Sequence, residues 1–211
     1  MTNNYIIIEG NIGSGKTSLA KLLSEKLGGK LMLEEFEENP FLKKFYKDPS
    51  RYAFQLELSF LAERFQQIQT EIQNRDLFQE FMFSDYMIEK CLIFSKNNLD
   101  DQSIQLYRKL YDIIQKSIPK PDLIIYLHKD SKHLLSNIGK RARDYEQDIK
   151  AKYLEDIYNN YITYFKQQNQ YPVLFINTNE IDFVEDPTLI EYFVELINKP
   201  FKIGLHPINL R

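Results

Sequence analysis

One cysteine, Cys91, in 211 residues excludes an internal disulfide framework and suits a reducing compartment. Set among Ile88, Leu92 and Ile93, its thiol reads as a small buried hydrophobe rather than a nucleophile. No apolar run approaches the roughly 18 residues of a spanning helix, and mean hydropathy is negative, so no membrane partner is expected. Cations are not in excess. The 27 Lys and Arg stand against 30 Asp and Glu, a formal charge of −3, which gives no reason to expect nucleic acid as a partner. The opening MTNNY carries no basic or apolar signal region, so the expected setting is cytoplasmic. Internal repeats and interdomain linkers are also missing. Residues 1–211 are therefore expected to form a single domain, long enough for one full core.

The strongest positive feature is Tyr5–Thr17, YIIIEGNIGSGKT. Tyr5–Ile8 is a β-branched run suited to a buried parallel strand. It runs into Gly10, Asn11, Ile12, Gly13, Ser14, Gly15, Lys16 and Thr17, which fit G-x-x-x-x-G-K-[ST]. In such a loop the missing Cβ atoms let successive backbone N–H groups surround phosphate oxygens. Lys16 is placed to reach the β- and γ-phosphates, and the Thr17 hydroxyl to ligate Mg²⁺. From Ser18 onward, Leu19, Leu22, Leu23 and Leu27 have helical spacing. The helix start adds its dipole and free N–H groups to the anion site. Chance produces the motif in on the order of one chain in a hundred, and the flanking strand and helix make coincidence rarer. Nucleotide binding is the expectation.

Further along, candidate site residues fall at the ends of strands. Lys30–Leu33 is a short second strand, followed by the carboxylates Glu34, Glu35, Glu37 and Glu38. Ligands bind outside the carboxyl ends of such strands, so one of these acids is a candidate to take a proton from a substrate hydroxyl. After a short helix at 41–46, a long helix from Arg51 to about Asn74 carries Leu58, Leu61, Phe65, Ile68 and Ile72 on one stripe. Gln55 lies near its buried side, and its amide can pair two edge atoms of a purine. A third strand over 76–83 ends in Ser84-Asp85-Tyr86. Asp85 is a candidate Mg²⁺ acid and equally an N-cap for a helix over 86–95. Leu123–Leu127 reads as a central strand, and the following Asp130 is a weaker metal candidate. The cations Lys140, Arg141 and Arg143 read either as a solvated helix face or as a mobile lid over phosphates. Arg at 141 and 143 favours bidentate phosphate contact. Helices over 100–117, 150–168 and 187–197, and a fifth strand over 173–176, complete an alternating pattern. Such alternation means a parallel α/β sheet covered on both faces. The tail 199–211 carries no functional signal.

Taken together, EGNIGSGKT at 9–17, the strand-end Glu-Glu with ENPF at 38–41, FYKDP at 45–49, FQ at 54–55 and KRARDYE at 140–146 resemble the deoxynucleoside kinases. The likeness is greatest to the bacterial deoxyadenosine/deoxyguanosine branch. The resemblance implies a P-loop kinase fold with a five-stranded parallel sheet in the order 2-3-1-4-5, helices on both faces and an Arg-rich lid at about 140–147. It implies ATP, or another nucleoside triphosphate, as phosphate donor with Mg²⁺. The acceptor would be a deoxynucleoside, converted to its 5′-monophosphate, and the assembly a homodimer. By the same resemblance Glu35 is the general base, with Glu34 as alternative because Phe36 stands where the family has proline. Tyr46 and Glu146 hold the sugar 3′-hydroxyl. Gln55 reads the base with Phe54 beside it, and Arg141 and Arg143 are the lid arginines. The segment 177–183 covers the donor base.

One departure stands out. The family has an acid and an arginine after the third strand, and this chain has Ser84-Asp85 with no arginine. Asp85 is assigned to the metal, and Arg64 or a lid arginine is left to compensate. Two other readings compete: a thymidylate-type nucleoside monophosphate kinase, and a non-catalytic nucleotide-binding module. The first needs cations for the acceptor's own phosphate, and the strand-end acids Glu34, Glu35, Glu37 and Glu38 suit an uncharged acceptor better. A guanine-reading switch would need Asn-Lys-x-Asp, and no such tetrapeptide is present.

Overall fold

The computed structural model describes residues 4–35, 39–74, 79–183, 185–186 and 188–209, leaving out the side chain at 72. Among the described residues, six strands alternate with helices in chain order. They are β1 (Tyr5–Gly10), α1 (Lys16–Leu27), β2 (Lys30–Met32), α2 (Leu42–Lys47), α3 (Pro49–Gln73), β3 (Met82–Ser84) and α4 (Lys90–Asn98). Then follow α5 (Asp101–Ile114), β4 (Leu123–His128), α6 (Ser131–Arg141), α7 (Ala151–Gln167), β5 (Pro172–Asn177), α8 (Thr188–Ile197) and β6 (Gly204–Ile208).

Every residue of β1 is buried, because its Ile-rich run sits between two layers of helices. Strand alternation sends successive side chains to opposite layers. Tyr5 and Ile7 join Ile124, Tyr126 and Val173 against residues of α3, α4, α5 and α7. Ile6 and Ile8 join Ile125, Leu127 and Leu174 against α1 and α8. All strand pairs are parallel. The loops that leave β1, β2, β3 and β4 therefore emerge at one edge.

The order β2-β3-β1-β4-β5 is as expected, but the sheet has six strands rather than five, with β6 added beyond β5. Gly204 and Pro207 lie in the tail 199–211, where no sixth strand is expected. An edge position explains both: a proline there forfeits no pairing on the open side, while Leu205 and Ile208 still pack onto the two core layers. Two boundaries also shift. The helix expected over 86–95 starts only at Lys90, and β3 is confined to Met82–Ser84. Residues 76–78 of the expected third strand lie outside the described residues. So do Phe36, Glu37 and Glu38 of the acidic loop, and Pro187 at the start of the expected last helix.

Candidate active site

At the end of β1, Gly13 and Gly15 have φ of 82° and 91°, the left-handed region where a Cβ is strained. A Cβ on Gly15 would also lie 2.9 Å from the Phe183 ring. The glycines are thus required by shape as well as by phosphate access. Asn11 stiffens the loop: its Nδ2 donates to the Leu154 carbonyl at 2.7 Å, and its Oδ1 accepts from Ile12 N–H at 2.9 Å. Beneath the loop, the buried Glu9 carboxylate accepts from Gly10 N–H, Met87 N–H and the Tyr161 hydroxyl. Burial raises the pKa of Glu9 despite the nearby Lys90 and Lys16. Burial, with Lys90 as a second cation, lowers that of Lys16.

The loop opens onto a cavity of about 1300 Å³. Residues 12–18 line it, whereas Gly10 and Asn11 stand behind as scaffold. Asp85 sits at its edge, 3% exposed. Its Oδ2 accepts from the Thr17 hydroxyl at 2.5 Å and its Oδ1 from Glu34 N–H at 2.7 Å. It does not cap α4, whose N-cap is Glu89. Asp130 is exposed and faces Asn179 and His128 instead. Ser84 is buried and turns its hydroxyl to the Tyr86 carbonyl.

Both strand-end glutamates line the cavity, but differently. Glu35 is exposed. The Glu34 side chain is only 7% exposed and is held by Arg64 Nη2 and Lys90 Nζ, each at 2.5 Å. Desolvation opposes its ionisation, but Lys90 and Arg64 outweigh it and hold the carboxyl well below the usual carboxylate range. Arg64 Nη1 also donates to the buried Cys91 Sγ at 3.0 Å, so Cys91 is buried, as expected, and has a polar partner.

Tyr46 and Glu146 both line the cavity. Burial, then Tyr153 and Glu146, push the Tyr46 phenol pKa upward, so it stays a hydrogen-bond donor. Its ring stacks on Tyr145, centroids 6.2 Å apart. The lid segment begins where α6 ends: Ala142 has φ 55°, and Asp144–Glu146 forms a single 3₁₀ turn. Glu146, 5% exposed, receives Arg141 in an ion pair and Arg143 at 3.6 Å.

The α3 assignment needs correction. Gln55 is exposed and Phe54 packs into the core, and neither lines the cavity. The face of α3 turned to the cavity carries Leu56, Glu57, Phe60, Glu63, Arg64 and Gln67. Two positions along a helix is a rotation of about 200°, so Gln55 and Glu57 point in opposite directions. Sequence reasoning missed Glu57 and Lys90. The only signal for either was helical phase.

A phosphate loop facing an interior acceptor cavity at the carboxyl ends of a parallel sheet defines a P-loop phosphotransferase. The chain belongs to the deoxynucleoside kinase family, whose model it matches over residues 6–202. It is 36% identical over 187 residues to a deoxyguanosine kinase of Bacillus subtilis, covering 87% of this chain and 90% of that one. It is 35% identical over 199 residues to a deoxyadenosine kinase of Dictyostelium discoideum, covering 90% and 78%. A solved deoxyadenosine kinase from M. mycoides with bound dATP superposes with a TM-score of 0.79 at 29% identity, covering 92% of this chain and all of that one. The protein is thus a kinase that phosphorylates deoxynucleosides.

Because Gln55 faces solvent, Gln55→Ala is expected to leave KM for every deoxynucleoside within about twofold. Steady-state kinetics check this; a tenfold rise would return Gln55 to the site.

Proposed function

We propose that the protein transfers the γ-phosphoryl group of ATP, or another nucleoside triphosphate, to the 5′-hydroxyl of a purine deoxynucleoside, deoxyadenosine foremost. The observation that carries this reading is the pairing of Glu34 with both Arg64 and Lys90 inside the cavity that holds the phosphate loop. With both cations drawn onto that carboxylate, the α3–α4 wall suits an uncharged acceptor better than a nucleoside monophosphate. The names of the Bacillus and Dictyostelium relatives support a purine.

Between the two candidate bases, burial and pairing favour Glu34 over the exposed Glu35. Its carboxylate is ionised at neutral pH and takes the hydrogen bond, then the proton, of the 5′-hydroxyl. The 5′-oxygen forms its bond to the γ-phosphorus while the bond from that phosphorus to the β–γ bridging oxygen breaks, and the nucleoside diphosphate leaves. Such a loose transition state asks mainly for orientation and charge neutralisation. Lys16 and the loop N–H groups hold the β- and γ-phosphates. Arg141 and Arg143 leave Glu146 for the transferring group, while Tyr46 and Glu146 grip the sugar 3′-hydroxyl.

Thr17 and Asp85 fit the two-ligand protein site that Mg²⁺ uses alongside phosphate oxygens and water. Mg²⁺ held by these two residues would supply positive charge to neutralise the phosphates.

Nucleoside diphosphate formation from ATP, measured with each of the four deoxynucleosides and with deoxyadenosine monophosphate, tests the proposal. Turnover is expected with the purine deoxynucleosides and not with the monophosphate. No turnover with any deoxynucleoside would overturn it, and turnover with the monophosphate alone would favour a monophosphate kinase.

A further inference from the structure

Lys129 sits half-buried in the turn between β4 and α6 and takes no part in the transfer just described. With its two neighbours it holds the loop that follows β5. The His128 carbonyl accepts from Thr178 N–H at 2.9 Å and from the Thr178 hydroxyl at 3.0 Å. Asp130 N–H donates to Asn179 Oδ1 at 2.9 Å, and Asn179 Nδ2 returns a bond to Asp130 Oδ2 at 2.8 Å. Within the loop, Ile181 N–H closes a turn onto the Thr178 carbonyl at 3.3 Å. Lys129 Nζ donates to the carbonyls at both ends of that turn, Thr178 and, at 3.4 Å, Ile181. Burial opposes the charge of Lys129, and Asp182 and Glu180 support it. Further along, Phe183 is buried against Gly15 of the phosphate loop, which leaves 179–182 as the stretch that Lys129 shapes.

That stretch forms one side of a recess of about 320 Å³, through Asn179, Ile181 and Asp182. Helix α6 forms the other side, through His133 and Asn137. Asn137 Nδ2 donates to the Gly13 carbonyl at 2.8 Å and so ties this side to the phosphate loop. Lys129, Asn137 and Ile181 border the main cavity as well, so the recess opens from it. Sheet order relates the two spaces. Strand β1 lies between β3 and β4. The loop leaving β1 therefore separates the Glu34 wall, at the ends of β2 and β3, from the recess, at the ends of β4 and β5. A triphosphate lying on the loop with its γ-phosphate toward Glu34 must send the rest of the nucleotide toward the recess.

We propose that Lys129 is a positioning residue for the phosphate donor: by gripping both ends of the 178–181 turn, it holds the recess in the shape that seats the donor's base. An ammonium on a flexible stem has three donors and can satisfy two carbonyls at once. Because those donors are engaged by the loop, Lys129 acts on the base through the backbone and not on the phosphates through its charge. The inference rests on the kinase reading above, in which a nucleoside triphosphate is the donor.

The test compares ATP with inorganic tripolyphosphate, which can occupy the phosphate loop but has no base to fill the recess. Kinetics at saturating deoxyadenosine give KM for ATP, and competition against ATP gives Ki for tripolyphosphate. Lys129→Met should raise KM for ATP by about tenfold or more, the cost of one charged hydrogen bond. Ki for tripolyphosphate and KM for deoxyadenosine should stay within about twofold, and the loss should fall on KM for ATP rather than on kcat. Lys129→Arg, which retains the charge and several donors, should recover most of the loss. An unchanged KM for ATP overturns the proposal. Equal weakening of tripolyphosphate also overturns it, by making Lys129 a phosphate contact, as does a Lys129→Arg variant no better than Lys129→Met. Thermal melting checks that each variant is folded, and Lys129→Gln takes the place of Lys129→Met if the latter is not. Absence of wild-type turnover with every deoxynucleoside overturns the kinase reading instead. Calorimetric affinities for ATP and tripolyphosphate then still decide the role of Lys129.

Discussion

Glu34→Gln is expected to lower kcat by about 10³-fold, while Glu35→Gln leaves it within about twofold. The amide keeps the shape of the carboxylate but cannot take the proton of the 5′-hydroxyl, and loss of a positioned base costs roughly 10²–10⁴-fold. A second cost is structural. Arg64 and Lys90 are nearly buried against this carboxylate, and removing one partner of a buried pair leaves the other charges uncompensated, at about 3–5 kcal/mol. A single-turnover rate corrected for the folded fraction separates the two losses. The acid behaviour of the wild type carries the same signature. With its folded pKa held below the ordinary 4.5, Glu34 contributes stability that is present above that value and lost only as pH falls through the lower one. If Glu35→Gln were the crippled variant and Glu34→Gln the active one, the roles would be exchanged.

Asp85→Asn is expected to cost about 100-fold in kcat/KM for ATP and to raise the Mg²⁺ needed for half-maximal rate by about tenfold. Asp85 joins two strand ends to the phosphate loop, through Glu34 N–H and the Thr17 hydroxyl. The amide retains an acceptor for one of these bonds but not the negative charge that a divalent cation requires. A Mg²⁺ titration of initial rates distinguishes the roles. An unchanged Mg²⁺ dependence would reduce Asp85 to a tie between loop and strand. Chelation of Mg²⁺ should stop turnover in both proteins.

The parts of this molecule that were legible in the sequence are those whose signal is local. Tyr5–Thr17 declares a strand, a phosphate loop and a helix start through glycine positions and β-branched residues alone, and Leu123–Leu127 declares a central strand by being continuously apolar. Tyr46 and Glu146, a hundred positions apart, came together only through family resemblance. Helix α3 was harder because it is apolar on more than one side. One stripe enters the core and another walls the cavity, so periodicity identifies the helix without saying which polar residue faces the ligand. Periodicity points to Gln55, whereas the residue turned to the cavity is Glu57. The Glu34–Arg64–Lys90 cluster joins three elements, and nothing in the spacing 34, 64, 90 encodes that convergence. Strand β6 was concealed by Pro207 and Gly204, residues that mark breaks in any strand except one at a margin.

That margin has a consequence for the protein in crowded solution. Parallel sheets expose unpaired backbone groups along both outer strands, and such rows template pairing with other chains. Here one outer strand, β2, is three residues long, too short to seed an intermolecular ladder. The other, β6, carries Pro207, which interrupts the row of N–H donors. The proline that hid the sixth strand thus also helps keep the sheet from growing, and protects the folded kinase from edge-to-edge aggregation.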